Sequence, residues 1–126
     1  MEISFDKEGL MAIAKLANAM IAADGKVAEN EMYTWTVEME RLGVPREEFA
    51  KIFEASEEMP FSEALRVVTS LNAEQKRYIG AFLGSLMAVD GEIDNDELKL
   101  WQLVSTFCDL PTMSVREALT FMSSLD

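Results

Sequence analysis

The sequence predicts an all-α protein, a single compact domain of about seven helices built from a duplicated helical unit. Ala, Leu, Glu and Met are abundant and proline occurs only three times in 126 residues, a composition that favours helix. Apolar residues recur at helical spacing along the chain. The segment 21–35 also recurs 66 positions later as 87–101. We therefore expect one domain that spans residues 1–126.

The first repeat unit, about residues 6–57, is predicted to hold three helices, because its apolar residues recur at intervals of three and four. Gly43 follows the second helix as a natural C-terminal stop. Pro45 opens the third helix at its first helical position. The expected bounds are 6–23, 29–42 and 45–58.

A short helix without a counterpart in the repeat, 62–71, is predicted to link the two units, with Ser62 as its N-cap. The second unit, about residues 73–125, is expected to hold three further helices. Each begins with a capping box, in which an N-cap residue is followed three positions later by Glu or Gln. The expected pairs are Asn72 with Gln75, Asp94 with Glu97, and Ser114 with Glu117.

The duplication also predicts how the helices pack. Helices one to three align with helices five to seven, so helices one and five are expected to lie together at a pseudo-twofold axis. Each of these two helices would bury nearly its whole circumference. Gly80 and Gly84, four residues apart on the fifth helix, would let the two backbones approach closely.

The chain is acidic, with 11 basic and 23 acidic side chains and a net charge of −12. This charge repels phosphate backbones and anionic lipid headgroups, so nucleic acid is not an expected partner. Cations, or a basic patch on another protein, are the expected partners. Solubility alone also accounts for such a charge.

Other features indicate a cytoplasmic protein, either a monomer or a homodimer. The one cysteine, Cys108, cannot form an internal disulfide and is expected to be a small buried hydrophobe. The N-terminal segment has no signal-peptide pattern, and the longest apolar run, 78–89, is too short to insert into a membrane. The chain has no histidine, so the usual general base and zinc ligand are missing.

The two repeated segments share one order: Asp-Gly, an aliphatic residue and then a glutamate. The first copy has Asp24 and Glu31, and the second has Asp90 and Glu97. This spacing matches the second half of an EF-hand calcium loop. The carboxylates of the first half are missing, so a standard EF-hand is excluded.

A purely structural interpretation of these turns is also open. Each would be a tight corner between two helices, in which the aspartate accepts turn hydrogen bonds and the glutamate favours a helix N-terminus. In this interpretation the aliphatic residue, Val27 or Ile93, is expected to plug into the core.

Residues 22–27 with Glu31, and residues 88–93 with Glu97, form a DGxhxxxE pattern on an acidic helical chain, which resembles the TerB-like family of tellurite-resistance proteins. The resemblance implies a helical domain that is not an enzyme, is linked to stress response and binds a divalent metal. Carried over by position, the implied metal ligands are Asp24, Glu31, Asp90 and Glu97.

The second turn is the better candidate for an ion site. Ala28 stands in the first turn where the family commonly has Ser or Asp, and where Asp94 caps a helix in the second turn. An all-oxygen ligand set favours calcium, magnesium or manganese over zinc or copper. The acids of the second turn are Asp90, Glu92, Asp94, Asp96 and Glu97.

Two functions remain open from the sequence. The first is a TerB-like interaction module that binds a divalent cation and a protein partner. The second is a metal-independent scaffold for another protein, in which the Asp-Gly turns are only structural. An enzyme is not expected, because no nucleophile or phosphate-binding loop completes a catalytic site. Trp35 and Trp101 are expected to pack in the core rather than to stack on a ligand.

Overall fold

The computed structural model describes residues 3–23, 29–88 and 93–125, without the side chains of residues 29–34. Every regular element in these segments is an α-helix, so the all-α prediction is confirmed. None of the helices in the described segments is long and apolar enough to cross a membrane. The helices are α1 (Lys7–Ala22), α2 (Glu29–Arg41), α3 (Arg46–Glu58), α4 (Phe61–Thr69), α5 (Ala73–Met87), α6 (Asn95–Phe107) and α7 (Val115–Ser124).

Capping boxes begin α5 and α7, as the sequence predicts. At α5, the Gln75 N–H donates to Asn72 Oδ1 at 2.8 Å, and the Asn72 N–H donates to Gln75 Oε1 at 3.1 Å. At α7, Ser114 and Glu117 make the same two bonds at 3.1 and 3.0 Å. Each box satisfies backbone donors that the helix itself leaves free, so these two predicted starts are confirmed.

The starts of α3 and α4 differ from the predicted ones. Pro45 is the N-cap of α3, with an extended ψ of 142°, rather than its first helical residue. The N-cap of α4 is Pro60 rather than Ser62, because the Pro60 carbonyl accepts the N–H groups of Glu63 and Ala64 at 3.0 and 3.1 Å. A proline suits both boundaries, since its φ is preset and it has no N–H to leave unsatisfied.

α1 and α5 contact each other in the interior of the protein. α1 also packs on α3 and α4, and α5 also packs on α6 and α7. α5 is buried without a break from Tyr78 to Gly84, as expected of a central helix. One connected cluster of buried residues draws on all of these helices.

Gly80 and Gly84 do not serve the contact between α1 and α5, so that expectation is wrong. A Cβ atom on Gly84 would lie 2.7 Å from Trp101 Cζ2 and 2.9 Å from the Cβ of Ala118. A Cβ atom on Gly80 would lie 3.5 Å from Met113 Cε. Because Trp101 belongs to α6 and Ala118 to α7, both helices approach α5 closely at Gly84.

The turns that end α2 and α6 repeat in backbone conformation as well as in sequence. Val44 donates its N–H to the carbonyl five residues earlier at 3.1 Å, and Leu110 does the same at 2.9 Å. Gly43 has a φ of 87°, and Asp109, 66 positions later, has a φ of 56°. Both turns are therefore Schellman endings. The pseudo-twofold relation between the two whole units stays a prediction.

Candidate functional site

The structure places the side chain of one of the four predicted metal ligands. Asp24 and Asp90 lie outside the described residues. Glu31 belongs to α2, but its side chain is also outside the description. Glu97, in the first turn of α6, is described in full. The geometry of the candidate site is therefore built from Glu97 and its neighbours.

The side chain of Glu97 is buried, with only 2% of the residue exposed. The preceding N-cap is Asp94, whose Oδ2 accepts the N–H of Asp96 at 2.8 Å and the N–H of Glu97 at 3.2 Å. This confirms Asp94 as the predicted cap. The cap fixes the first turn of α6, and with it the backbone from which the Glu97 carboxylate projects.

Glu97 differs from the residues at the same position in α5 and α7. Gln75 and Glu117 reach back to their N-cap N–H groups and stay accessible to solvent. Among the described residues, no such return bond joins Glu97 to Asp94, so the capping box predicted at α6 is only half formed. The N-cap of α6 is a carboxylate, whereas those of α5 and α7 are neutral. A second carboxylate at that cap would be repelled.

A buried carboxylate needs compensation, because moving an ionised group out of water without partners is very unfavourable. The N-terminus of α6 supplies part of this compensation, since its peptide dipoles place partial positive charge beside the first turn. The Glu97 carboxylate therefore lies where a negative charge is favoured, and a bound cation would add to this stabilisation.

Burial of Glu97 follows from its place on the inner face of α6. The buried side chains of this helix are Glu97, Trp101 and Val104, which are four and three residues apart and so share one face. This spacing from Trp101 is a sequence signal that predicts burial of the glutamate.

Ile93 does not plug into the core as expected, because 45% of its surface is exposed. Its counterpart in the first turn, Val27, lies outside the described residues. Among the described residues, the inner face of α6 packs against the core and Ile93 does not. The structural interpretation of the second turn is therefore wrong in this one respect.

Within the described segments, no three Asp, Glu, Cys or His side chains converge in a way that could hold a metal ion. Asp94 is engaged as a cap, and Asp96 is exposed. The other acids of the second turn, Asp90 and Glu92, lie outside the described residues. A complete ligand set around Glu97 would have to draw on them.

A second polar cluster, which sequence reasoning missed, joins α2 to α5. The buried Tyr78 hydroxyl donates to Glu38 Oε1 at 2.5 Å, and Arg41 pairs with the same carboxylate. Burial, followed by the negative charge of Glu38, raises the pKa of Tyr78 far above its ordinary value. The position of Glu38 on the inner face of α2, three residues after Trp35, is a signal of burial. Its partner lies 40 positions away and gives no sequence signal.

Trp35 and Trp101 both pack in the core, so that prediction is confirmed. The Trp35 ring lies against Phe53 and Phe82, with ring centroids 6.4 and 5.4 Å apart. The indole N–H of Trp101 donates to the Gly80 carbonyl oxygen at 3.0 Å. Neither ring is available to stack on a ligand.

Cys108 is buried, as expected, and its Sγ lies 3.5 Å from the Leu65 carbonyl oxygen. Burial raises the pKa of its thiol. A thiol in this setting is a poor nucleophile, because the thiolate is the reactive form.

Comparison with known proteins shows similarity to a solved structure. No protein-family model and no curated protein matches the chain. The crystal structure of PG1108, a protein of unknown function from Porphyromonas gingivalis W83, is similar to it, with a TM-score of 0.84. The two sequences are 39% identical over 95% of this chain and 98% of that chain.

Proposed function

Because the chain belongs to the same family as PG1108, a protein of unknown function, we infer its function from the chemistry of its own residues. We propose that it is a non-enzymatic cytoplasmic protein of TerB-like type, related to tellurite resistance and stress response, that binds a divalent cation and a protein partner. The proposed cation site is the second Asp-Gly turn, with Asp90 and Glu97 as ligands.

The burial of Glu97 is the observation that carries this proposal. A first-turn glutamate that serves only as a cap reaches back to the N-cap at the surface, as Glu117 does. Glu97 lies on the inner face of α6 instead, and the cap of that helix is supplied by Asp94. The N-cap of α6 is therefore supplied by Asp94 rather than by the Glu97 carboxylate.

The oxygen ligands of the turn are suited to bind a hard cation with modest affinity. Calcium takes six to eight oxygen ligands, whereas two carboxylates supply at most four, so backbone carbonyl groups, water or Glu92 complete the shell. The absence of histidine from the chain favours calcium, magnesium or manganese over zinc. The first turn, with Asp24 and Glu31, is proposed as a weaker site, because Ala28 replaces the capping residue.

The test is isothermal titration of metal-stripped protein with calcium, magnesium and manganese in turn. Asp90→Asn and Glu97→Gln remove one charge each at nearly constant volume. Glu117→Gln is the matched control, because it makes the same change at the same helical position of α7, in a side chain that is exposed and caps its helix. Tryptophan fluorescence gives a second readout, since Trp101 lies one turn after Glu97 on the same face.

Saturable binding in the wild type and in Glu117→Gln, but in neither ligand variant, supports the proposal. Binding that survives both ligand substitutions would place the cation elsewhere. No heat and no shift in melting temperature with any of the three cations would contradict the proposal and leave the turn as a folding device.

A metal-independent scaffold is the second candidate. The observation that favours it is the exposure of two large apolar side chains on α6, Leu103 and Phe107, because exposed apolar surface is a feature of protein-binding faces. In this case the Asp-Gly turns are only structural, and titration with cations gives no signal. Binding of a protein partner would then be equal in the wild type and in Glu97→Gln.

A further inference from the structure

The outer face of α6 is apolar over two helical turns. Leu103 and Phe107, one turn apart, each expose 61% of their surface, more than any other large hydrophobic residue of the described chain. Leu100 lies beside them and is half-buried. Spacings of three and four residues place the three side chains on one face of the helix. Leu100, Leu103 and Phe107 are named the α6 strip below.

Leu100 packs partly against the core, whereas Leu103 and Phe107 are largely exposed. α6 packs on the core through its other face, which carries Glu97, Trp101 and Val104. In the first repeat unit, the residues that align with the α6 strip are Thr34, Val37 and Arg41. Val37 is 43% exposed and Arg41 is exposed as well. An arginine therefore suffices at the position that aligns with Phe107, so the exposed phenylalanine of α6 needs another explanation. Leu103 aligns with another exposed apolar residue, Val37, but is more exposed than it.

The α6 strip has the spacing by which two helices pack side by side. Anchors at positions i, i+3 and i+7 are those that an amphipathic helix inserts between its partner's side chains. An isolated exposed leucine is ordinary, but two adjacent side chains with this exposure form a continuous apolar surface.

Charge indicates the kind of helix. Asp96 is exposed one turn before Leu100 on the same face, so a carboxylate lies next to the N-terminal end of the α6 strip. Lys99 flanks the strip and is the one basic residue of α6. The whole chain carries a net charge of −12, which attracts a basic partner over a distance and accelerates its association.

We propose that the α6 strip is a docking surface for an amphipathic helix of a partner protein, with an apolar stripe and a net positive charge. A second copy of this chain fits less well, because two copies repel each other by charge. This inference does not rest on the proposed cation site.

The test uses a fluorescein-labelled synthetic helical peptide with leucine at i, i+3 and i+7 and lysine on its flanks, titrated with the full chain at physiological salt. A scrambled peptide of the same composition controls for attraction by charge alone. The protein variant is Leu103→Gln with Phe107→Gln, which leaves the net charge unchanged. Val37→Gln is the matched control at the aligned position of α2. Thermal melts show that each variant is folded.

The expected result is that the striped peptide binds the wild type and Val37→Gln, and that the double variant binds it about tenfold more weakly or worse. Equal binding of the scrambled peptide would show attraction by charge alone and overturn the proposal. Undiminished binding by the double variant would place the peptide elsewhere and overturn it as well. No binding to the wild type would overturn it as well. Sedimentation that shows a dimer of the wild type, lost in the double variant, would assign the α6 strip to a second copy instead.

Discussion

The indole N–H of Trp101 donates a hydrogen bond of 3.0 Å to the backbone carbonyl oxygen of Gly80, and this bond ties α6 to the centre of α5. One turn further along α5, Gly84 leaves the space in which the same indole ring lies. Glu97 precedes Trp101 by one turn, and Leu103 follows it on the outer face. The contact with Trp101 therefore holds the helix that carries both the proposed cation ligand and the α6 strip.

Substitution of Gly84 by alanine is expected to destabilise the protein, although alanine is the better helix former. The new Cβ would lie 2.7 Å from the Trp101 ring and 2.9 Å from Ala118, and overpacking of this kind costs about 1 to 3 kcal/mol. Gly80→Ala is the matched control. Its Cβ would make an ordinary contact with Met113 at 3.5 Å, so the variant should gain about 0.5 to 1 kcal/mol. Urea unfolding measures both; equal effects would contradict this account of Gly84.

Replacement of the two tryptophans by phenylalanine should have unequal effects. Trp101→Phe removes the hydrogen bond to Gly80 as well as part of the ring. Trp35→Phe removes an indole N–H that has no acceptor among the described residues, so only packing is lost. We expect Trp101→Phe to be about 1 kcal/mol more destabilising than Trp35→Phe in chemical denaturation. A larger loss of stability for Trp35→Phe would show that the packing of Trp35 contributes more than the hydrogen bond between Trp101 and Gly80.

Asp109 holds a backbone conformation that favours glycine. Its φ of 56° lies in the left-handed region, and the aligned residue of the first unit, Gly43, has a φ of 87°. Asp109→Gly should therefore stabilise the protein by about 0.5 to 1 kcal/mol, and the reciprocal Gly43→Asp should destabilise it by a similar amount. Melting temperatures of the two variants check this pair. A lower melting temperature for Asp109→Gly would mean that contacts of the aspartate side chain stabilise the turn by more free energy than its left-handed backbone conformation costs.

The buried hydroxyl of Tyr78 is expected to make stability depend on alkaline pH. Burial and the charge of Glu38 raise the pKa of Tyr78 above its ordinary value of about 10. The unfolded chain loses this proton near pH 10 while the folded chain keeps it. The associated stability is fully present below about pH 10 and falls by about 1.4 kcal/mol per pH unit above it.

Tyr78→Phe isolates this effect from the titration of lysines. At neutral pH the variant should be about 1 to 3 kcal/mol less stable, because Glu38 loses a buried donor. This difference should shrink as the pH rises from about 10 to 11, as measured by urea unfolding at a series of pH values. A difference that stays constant over this range would show that the Tyr78 proton is not retained by the fold.

The helix order and most helix ends could be predicted because their causes are local. A capping box such as Asn72 with Gln75 acts across three residues, and Gly43 ends α2 through its own φ. The start of α4 could not be predicted in this way. Ser62 has the better side chain for a cap, but a start at Pro60 includes Phe61 in the helix, and that ring packs against the core.

The candidate site could be predicted in its residues but not in its geometry. The Asp-Gly order and the glutamate that follows are visible as a repeat. Whether Glu97 reaches back to its cap or turns inward depends on the charge of Asp94 and on the inner face of α6. The exposure of Ile93 could not be predicted either, because the side chain of an aliphatic residue beside a turn can lie in the core or at the surface.

The all-α class and the order of the helices follow from the amino-acid sequence, because periodicity, caps and left-handed helix ends act between residues at most a few positions apart. Three relationships depend on how the helices pack: the Trp101 ring lies against Gly84, the Tyr78 hydroxyl donates to Glu38, and Leu103 and Phe107 lie outside the core. These relationships join residues 17 or more positions apart, or depend on which face of a helix its neighbours cover. Local propensity carries no information about either.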